Sequence, residues 1–287
     1  MIRTHKCHFT LLLLVYVISL STSAASPDLA RERQIANTLI DKLDIGEAVW
    51  LDEGNRRFLG LFNETFIERR KNAVLLIHGM GAHPDWPDVI APLRRGLPGN
   101  QLPTLSIQMP VLAPEAAVSV YGQTLKEAAR RIKIAEDFLH DMGFSHVIIV
   151  GYSFGAATSA YYLANQDQHG ISAFVSISML ARKFLNPSLK LNLLLEKIAI
   201  PVLDIYGSND LDEVLRAVPD RRLAAHKSGN PIYTQFEIRD SDHIYAQYEQ
   251  DLIVTIVNWL DQHNQLEDVD VGGGVVNGDE NSDDTNE

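Results

Sequence analysis

Four short stretches of this chain carry residue types that could cooperate in acyl transfer. The first is Gly151-Tyr152-Ser153-Phe154-Gly155, which interrupts the apolar run "HVIIV" and is followed by the small residues Ala156 and Ala157. A serine on a sharp strand-to-helix turn needs glycine two places either side, because side chains there would collide. The same turn aims the first N–H groups of the following helix at the hydroxyl, where they can stabilise an oxyanion. The second stretch, His78-Gly79-Met80-Gly81, follows "NAVLLI" and can bring a further backbone N–H beside the serine, from Met80 first and Gly81 next. His78 reads as a residue that orders this loop by hydrogen bonding. The third, Ser208-Asn209-Asp210, follows "IPVLDIYG" and offers a carboxylate to accept the Nδ1–H of a histidine and steady its charged form. Asp210 is the leading acid, with Asp212 and Glu213 close behind it, whereas Asp204 lies inside the run and reads as structural. The fourth, Ser241-Asp242-His243, follows "IYTQFEIRD" and puts His243 where a general base for Ser153 is needed. The remaining histidines, His83 among them, carry no assigned role.

These stretches require a frame that brings four strand ends together. "PDLARERQIANTLIDKL" reads as a leading helix with Leu29, Ile35, Leu39, Ile40 and Leu43 on one face. "EAVWLDE" and "RRFLGLFNE", separated by Gly54 and Asn55, read as an antiparallel hairpin. Six apolar strands follow: "NAVLLIHG", "PTLSIQMP", "HVIIVGYS", "SAFVSIS", "IPVLDIYGS" and "IYTQFEIRD". Helical stretches lie between and after them: "QTLKEAARRIKIAEDFLHDMG", the run after Ser153, "SLKLNLLLEKI" and "HIYAQYEQDLIVTIVNWLDQH", the last beginning directly at His243. Near-continuous apolar strands alternating with helices predict an α/β fold, a mostly parallel central sheet with helices on both faces. In such sheets ligands bind outside the carboxyl ends of the strands. Only "MLARKFLNPSLKLNLLLEKIAI" separates the fourth of these strands from the fifth. That is room for a minimal lid; its leucines read as core packing, or alternatively as a small apolar flap, and an open cleft is expected.

The chain order Ser153, Asp210, His243, set among these strands, resembles that of the α/β-hydrolase superfamily over nearly everything from Glu47 to Asn264. More narrowly, "LLIHGMGAHPDWPDVIAPLRRGLP" with "LPTLSIQMP" is similar to an uncharacterised bacterial group, a domain of unknown function within that superfamily. The resemblance implies a Ser153–His243–Asp210 triad and an oxyanion hole from the Met80 and Phe154 N–H groups. Tyr152 departs from the histidine many members carry there and would put a phenol near the pocket. The expected activity is hydrolysis of a small carboxylic ester through an acyl-enzyme. The alternatives are amide or peptide cleavage, or other acyl transfer, by the same triad. A binding protein that keeps the fold without catalysis is the alternative outside enzymology.

Composition bounds the rest. A chain of 287 residues, 46% hydrophobic, can bury one large α/β core. With 25 Lys+Arg against 37 Asp+Glu, a net charge of −12, it lacks the basic footprint of a nucleic-acid binder. Residues 1–25 have the plan of a secretory signal peptide: Arg3 and Lys6, then the apolar "FTLLLLVYVISL", then the small residues of "STSAAS". The apolar part is shorter than the roughly 20 residues of a membrane span, so no stable span is expected after cleavage; an uncleaved anchor is the alternative. Export to the periplasm or the medium follows. The single cysteine, Cys7, would leave with the leader. Residues 265–287 hold eight acids and no base, as a disordered acidic tail would. The hydrolase domain is therefore expected over residues 26–264. No metal motif, phosphate loop or dinucleotide fingerprint is present, so no cofactor is expected.

Overall fold

Every apolar stretch assigned to a strand forms one. In this computed structural model, which describes residues 26–65, 71–166, 170–180, 185–263 and 265–266, they join a single eight-stranded sheet. The expected leader lies outside the described residues, as does the acidic tail from residue 267 onward. The hairpin consists of β1 (Glu47–Asp52) and β2 (Arg57–Asn63). There follow β3 (Asn72–Ile77), β4 (Thr104–Ile107), β5 (His146–Tyr152), β6 (Ile171–Ile177), β7 (Val202–Gly207) and β8 (Tyr233–Ile238). The spatial order is β1-β2-β4-β3-β5-β6-β7-β8; β2 is antiparallel to both neighbours and every other pair is parallel.

The helices are α1 (Leu29–Asp41), α2 (Ile90–Gly96), α3 (Leu125–Asp141), α4 (Phe154–Asn165), α5 (Leu191–Leu195), α6 (Asp212–Ser228) and α7 (Glu249–Gln262). The period-2 alternation of the central strands sorts their side chains onto two cores. Ala73, Leu75, Ile77, Val147 and Ile149 join one with residues of α3 and α4, while Val74, Leu76, Ile148 and Val150 join the other with residues of α2 and α7. Both faces are thus buried, which is why these strands read as unbroken apolar runs. The leading helix α1 starts at Asp28, whose carboxylate accepts the Arg31 N–H at 3.0 Å. Its Leu39 and Ile40 pack with Leu43 on Leu59 and Leu61 of β2, but Leu29 is exposed.

Four elements depart from expectation. The sequence reading omits α2 altogether and treats α6 at most as a solvated helix start at Asp212. In α6 Pro219 removes one backbone donor, and Val214, Arg221, Ala224 and Ala225 are its only buried side chains, so no apolar stripe announces it. The stretch "SLKLNLLLEKI" yields only the five residues of α5. Its leucines serve packing: Leu195 is buried in the core, Leu189, Leu191 and Leu194 lie against it, and Leu193 is exposed. The last helix begins at Glu249 rather than at His243, because Tyr245 and Gln247 adopt left-handed backbone angles, φ 56° and 73°.

Candidate active site

Register brings the functional strand ends to one edge of the sheet. Ile77 pairs with Gly151, Tyr152 with Ile177, Ile177 with Ile205, and Gly207 with Ile238. His78, Ser153, Ser178, Asp210 and His243 therefore all follow strands that finish side by side. Ser153 sits between β5 and α4 with φ 56° and ψ −119°, a backbone conformation that costs a non-glycine residue on the order of 1–3 kcal/mol. Its N–H donates to Ile177 O at 2.8 Å and its carbonyl accepts from Leu180 N–H at 3.2 Å, so the neighbouring strand end holds the turn.

The two glycines of the motif are demanded by contact. A Cβ on Gly151 would stand 2.6 Å from Ala156 Cα, and one on Gly155 would stand 2.3 Å from Ile77 O. Strand β3 and helix α4 approach each other through these positions.

His243 Nε2 lies 3.1 Å from Ser153 Oγ, and His243 Nδ1 lies 2.7 Å from Asp210 Oδ1. Of the candidate acids, Asp210 is buried and is the one within hydrogen-bonding distance of His243, whereas Asp212 is exposed and lies near Arg216 on α6. Burial by itself would raise the pKa of Asp210. The hydrogen bonds from His243, Ser178 and the Leu211 N–H, with the charge of His243, outweigh it and hold the carboxyl below its ordinary value. These contacts favour the carboxylate form of Asp210.

The second oxygen of Asp210 is held by residues that the sequence reading leaves unassigned. Ser178 Oγ donates to Asp210 Oδ2, and Tyr245 OH stands 2.7 Å from Ser178 Oγ. Ser178 has φ 49°, so β6 ends in a strained serine as β5 does. The only sequence signal for this pair is the terminal serine of "SAFVSIS"; Tyr245 comes into reach through the irregular turn after His243. Asp242 builds that turn, its carboxylate accepting the N–H groups of Ile244 and Tyr245 at 3.0 and 3.1 Å.

The loop after β3 lies against the serine. A Cβ on Gly79 would be 3.5 Å from Ser153 Cβ, and Met80 lines the same cleft as Ser153. His78 anchors this loop from below. Its Nε2 accepts the Met109 N–H at 3.0 Å, which leaves Nδ1 to donate to Gly79 O at 2.8 Å. Burial pushes its pKa down to about 3, so it is a neutral, structural histidine. The N–H of Phe154, first in α4, has no partner within the helix, and Phe154 lines the same cleft. Gly81 carries φ 70°, as the turn of this loop requires.

Tyr152 gives the serine turn a second tie. Its hydroxyl donates to His243 O at 3.0 Å, and its ring centre is 5.4 Å from that of the imidazole. His83 stacks edge-on against Trp86 and accepts the Asp85 N–H. Asp204 is structural: in the sheet interior it receives Arg221 Nε at 2.8 Å, Tyr233 OH at 2.9 Å and Gln235 Nε2 at 3.0 Å.

A cleft of about 510 Å³ opens over Ser153 and His243. Met80, Trp86, Val118, Phe154, Leu180 and Ile244 make it mainly apolar, and among the described residues of the β6–β7 connection Leu180 lines it. Two other hollows, about 320 Å³ beside α1 and the hairpin and about 580 Å³ against β8 and α7, contain none of the three residues Ser153, His243 and Asp210. Among the described residues no group of three or more His, Cys, Asp or Glu side chains could hold a metal ion, and no helix is long and apolar enough to cross a membrane.

A family model described as a protein of unknown function (DUF3530) matches residues 18–124 and 115–262. No curated protein matches the sequence. Many solved structures share its architecture. An esterase from Pyrococcus furiosus superposes with a TM-score of 0.59 at 13% identity, over 75% of this chain and 90% of that one. Est1E from Butyrivibrio proteoclasticus gives 0.60 at 14% identity, over 76% and 98%. A serine hydrolase without lid from Xanthomonas campestris gives 0.58 at 14% identity, over 77% and 95%. At these identities the likeness is one of fold. The family match spans most of the chain, so this protein belongs to the DUF3530 family, and its sheet has the same α/β architecture as these hydrolases.

Proposed function

We propose that this protein is a serine hydrolase that cleaves small carboxylic esters through an acyl-enzyme on Ser153. The observation that carries the reading is the unbroken chain Ser153 Oγ, His243 Nε2, His243 Nδ1, Asp210 Oδ1, with steps of 3.1 and 2.7 Å. In this reading Ser153 Oγ attacks the ester carbonyl while His243 Nε2 takes its proton, and Asp210 keeps Nδ1–H pointed inward and balances the imidazolium. The carbonyl oxygen becomes an oxyanion beside the N–H groups of Met80 and Phe154. Its collapse expels the alcohol, which takes the proton from His243. Water, deprotonated by the same imidazole, then attacks the acyl-enzyme and releases the acid and Ser153.

Two features support ester cleavage over a binding role without chemistry. Ser153 holds a strained backbone that a passive serine would not need. The similar structures include two whose names call them an esterase and a serine hydrolase. A fluorophosphonate probe tests the reading. The native protein is expected to label at Ser153 and to hydrolyse p-nitrophenyl acetate, while Ser153→Ala and His243→Ala lose both properties by 10³-fold or more. Equal labelling of Ser153→Ala would remove Ser153 from the mechanism.

A further inference from the structure

The cleft over Ser153 contains one charged side chain that the proposed mechanism leaves unused. Asp88 lines it, half-buried, in the loop that leads into α2. One of its oxygens, Oδ2, accepts the indole N–H of Trp86 at 2.9 Å, and no ion pair to it is found among the described residues. The neighbouring Asp85, by contrast, is taken up by Arg94 and Arg95, both at 2.9 Å. Among the described residues the cleft lining holds no lysine or arginine. Among these residues Asp88 therefore lines the cavity without a counter-charge, and the hydrogen bond fixes the indole of Trp86 beside it. Tyr152 stands close enough to feel this charge: burial first, and Asp88 next, hold its phenol in the neutral form.

A carboxylate with aromatic rings around it, in a pocket otherwise lined by apolar side chains, is a recognition site for an organic cation. The carboxylate supplies the opposite charge and the ring faces supply cation–π attraction. The net charge of −12 adds long-range attraction for cations and repulsion for anions. We propose that Asp88 and Trp86 form a cation subsite, and that the substrates of the Ser153 site are esters carrying an amine or quaternary ammonium group. This inference rests on the hydrolase reading and deepens it.

The test is inhibition of p-nitrophenyl acetate hydrolysis by phenyltrimethylammonium and by its uncharged isostere tert-butylbenzene. In the native protein the cation is expected to bind roughly five- to ten-fold more tightly, as a partly exposed charge contact plus a cation–π contact would give. In Asp88→Asn, which keeps the size of the side chain and its bond to Trp86, the ratio of the two inhibition constants is expected to fall towards one. Raising the salt concentration should shrink the ratio in the native protein and leave it unchanged in the variant. A ratio near one in the native protein, or the same ratio in Asp88→Asn with an unchanged unfolding midpoint, overturns the subsite while leaving the hydrolase reading intact. If the protein neither hydrolyses the ester nor labels with fluorophosphonate, the hydrolase reading fails and the subsite as a substrate determinant fails with it.

Discussion

At the scale of single residues, the site shows that placing an imidazole requires more groups than the three that would react. Asp210 can orient His243 only if its own carboxylate is fixed. Ser178 and the Leu211 N–H fix it, each bonding a different oxygen, and Tyr245 is in turn within hydrogen-bonding distance of Ser178. Ser178→Ala leaves Asp210 Oδ2 short of a donor in a buried setting, where an unmade hydrogen bond to a charge is worth on the order of 1.5–3 kcal/mol. The expected result is a fall in kcat/KM of at least ten-fold with KM little changed, read with p-nitrophenyl acetate beside an unfolding curve. Unaltered kcat/KM would mean that Ser178 contributes nothing to the orientation of the pair. The proposed nucleophile, base and acid, and the position of His78 in its loop, were legible from residue type at strand ends. Ser178 and Tyr245 were not, because their role arises from a contact across 67 positions of chain that no local pattern encodes.

At the scale of elements, the turn between β5 and α4 does two jobs with the same glycines. It bends the chain sharply enough to expose Ser153, and it lets α4 lie directly on the end of β3. Gly155→Ala puts a methyl group 2.3 Å from Ile77 O and 2.5 Å from His78 O, both backbone atoms that cannot rotate away. The helix must shift off the strand, and overpacking of this kind costs about 1–3 kcal/mol. A lowered urea midpoint together with weakened fluorophosphonate labelling is expected. Gly99→Ala, where nothing lies within 4 Å, should change the midpoint by under about 0.5 kcal/mol and serves as the control. Equal effects of the two substitutions would refute the close approach. The same scale explains the elements that the sequence hid. Helix α6 buries Arg221 against Asp204 in place of a leucine stripe, so its amphipathic signal is weak. The start of α7 is displaced because Tyr245 and Gln247 take left-handed backbone angles, which no run of helix accommodates.

At the scale of the whole molecule, the described fold reaches its end with Gln265 and Leu266. Asn72, first in β3, donates from Nδ2 to Gln265 O at 2.7 Å, the Gln265 N–H returns to Leu260 O at 2.9 Å, and Leu266 packs on the α7 face of the core. A chain stopped after Leu266 keeps these contacts and is expected to unfold at the same urea concentration as the full chain, within 0.5 kcal/mol. A lower midpoint would show that residues 267–287 bear on the fold. How much of the molecule was readable follows from the range of the forces involved. Side-chain alternation and apolar runs are local, so the order of the eight strands along the chain, the parallel class of the sheet and the residues at each strand end could be read from sequence alone. Spacing alone left open whether Asp210, Asp212 or Glu213 is the acid, since all three lie within four residues. Only the packed sheet separates them, by bringing Asp210 within 2.7 Å of His243 and leaving Asp212 in solvent. Likewise the place of Asp88 in the cleft and the contact of Tyr245 with Ser178 exist only once distant segments meet. Local physics determined which residues could act; tertiary packing determined which of them stand together, because hydrogen bonds and charges act over a few ångströms of space, whatever their separation along the chain.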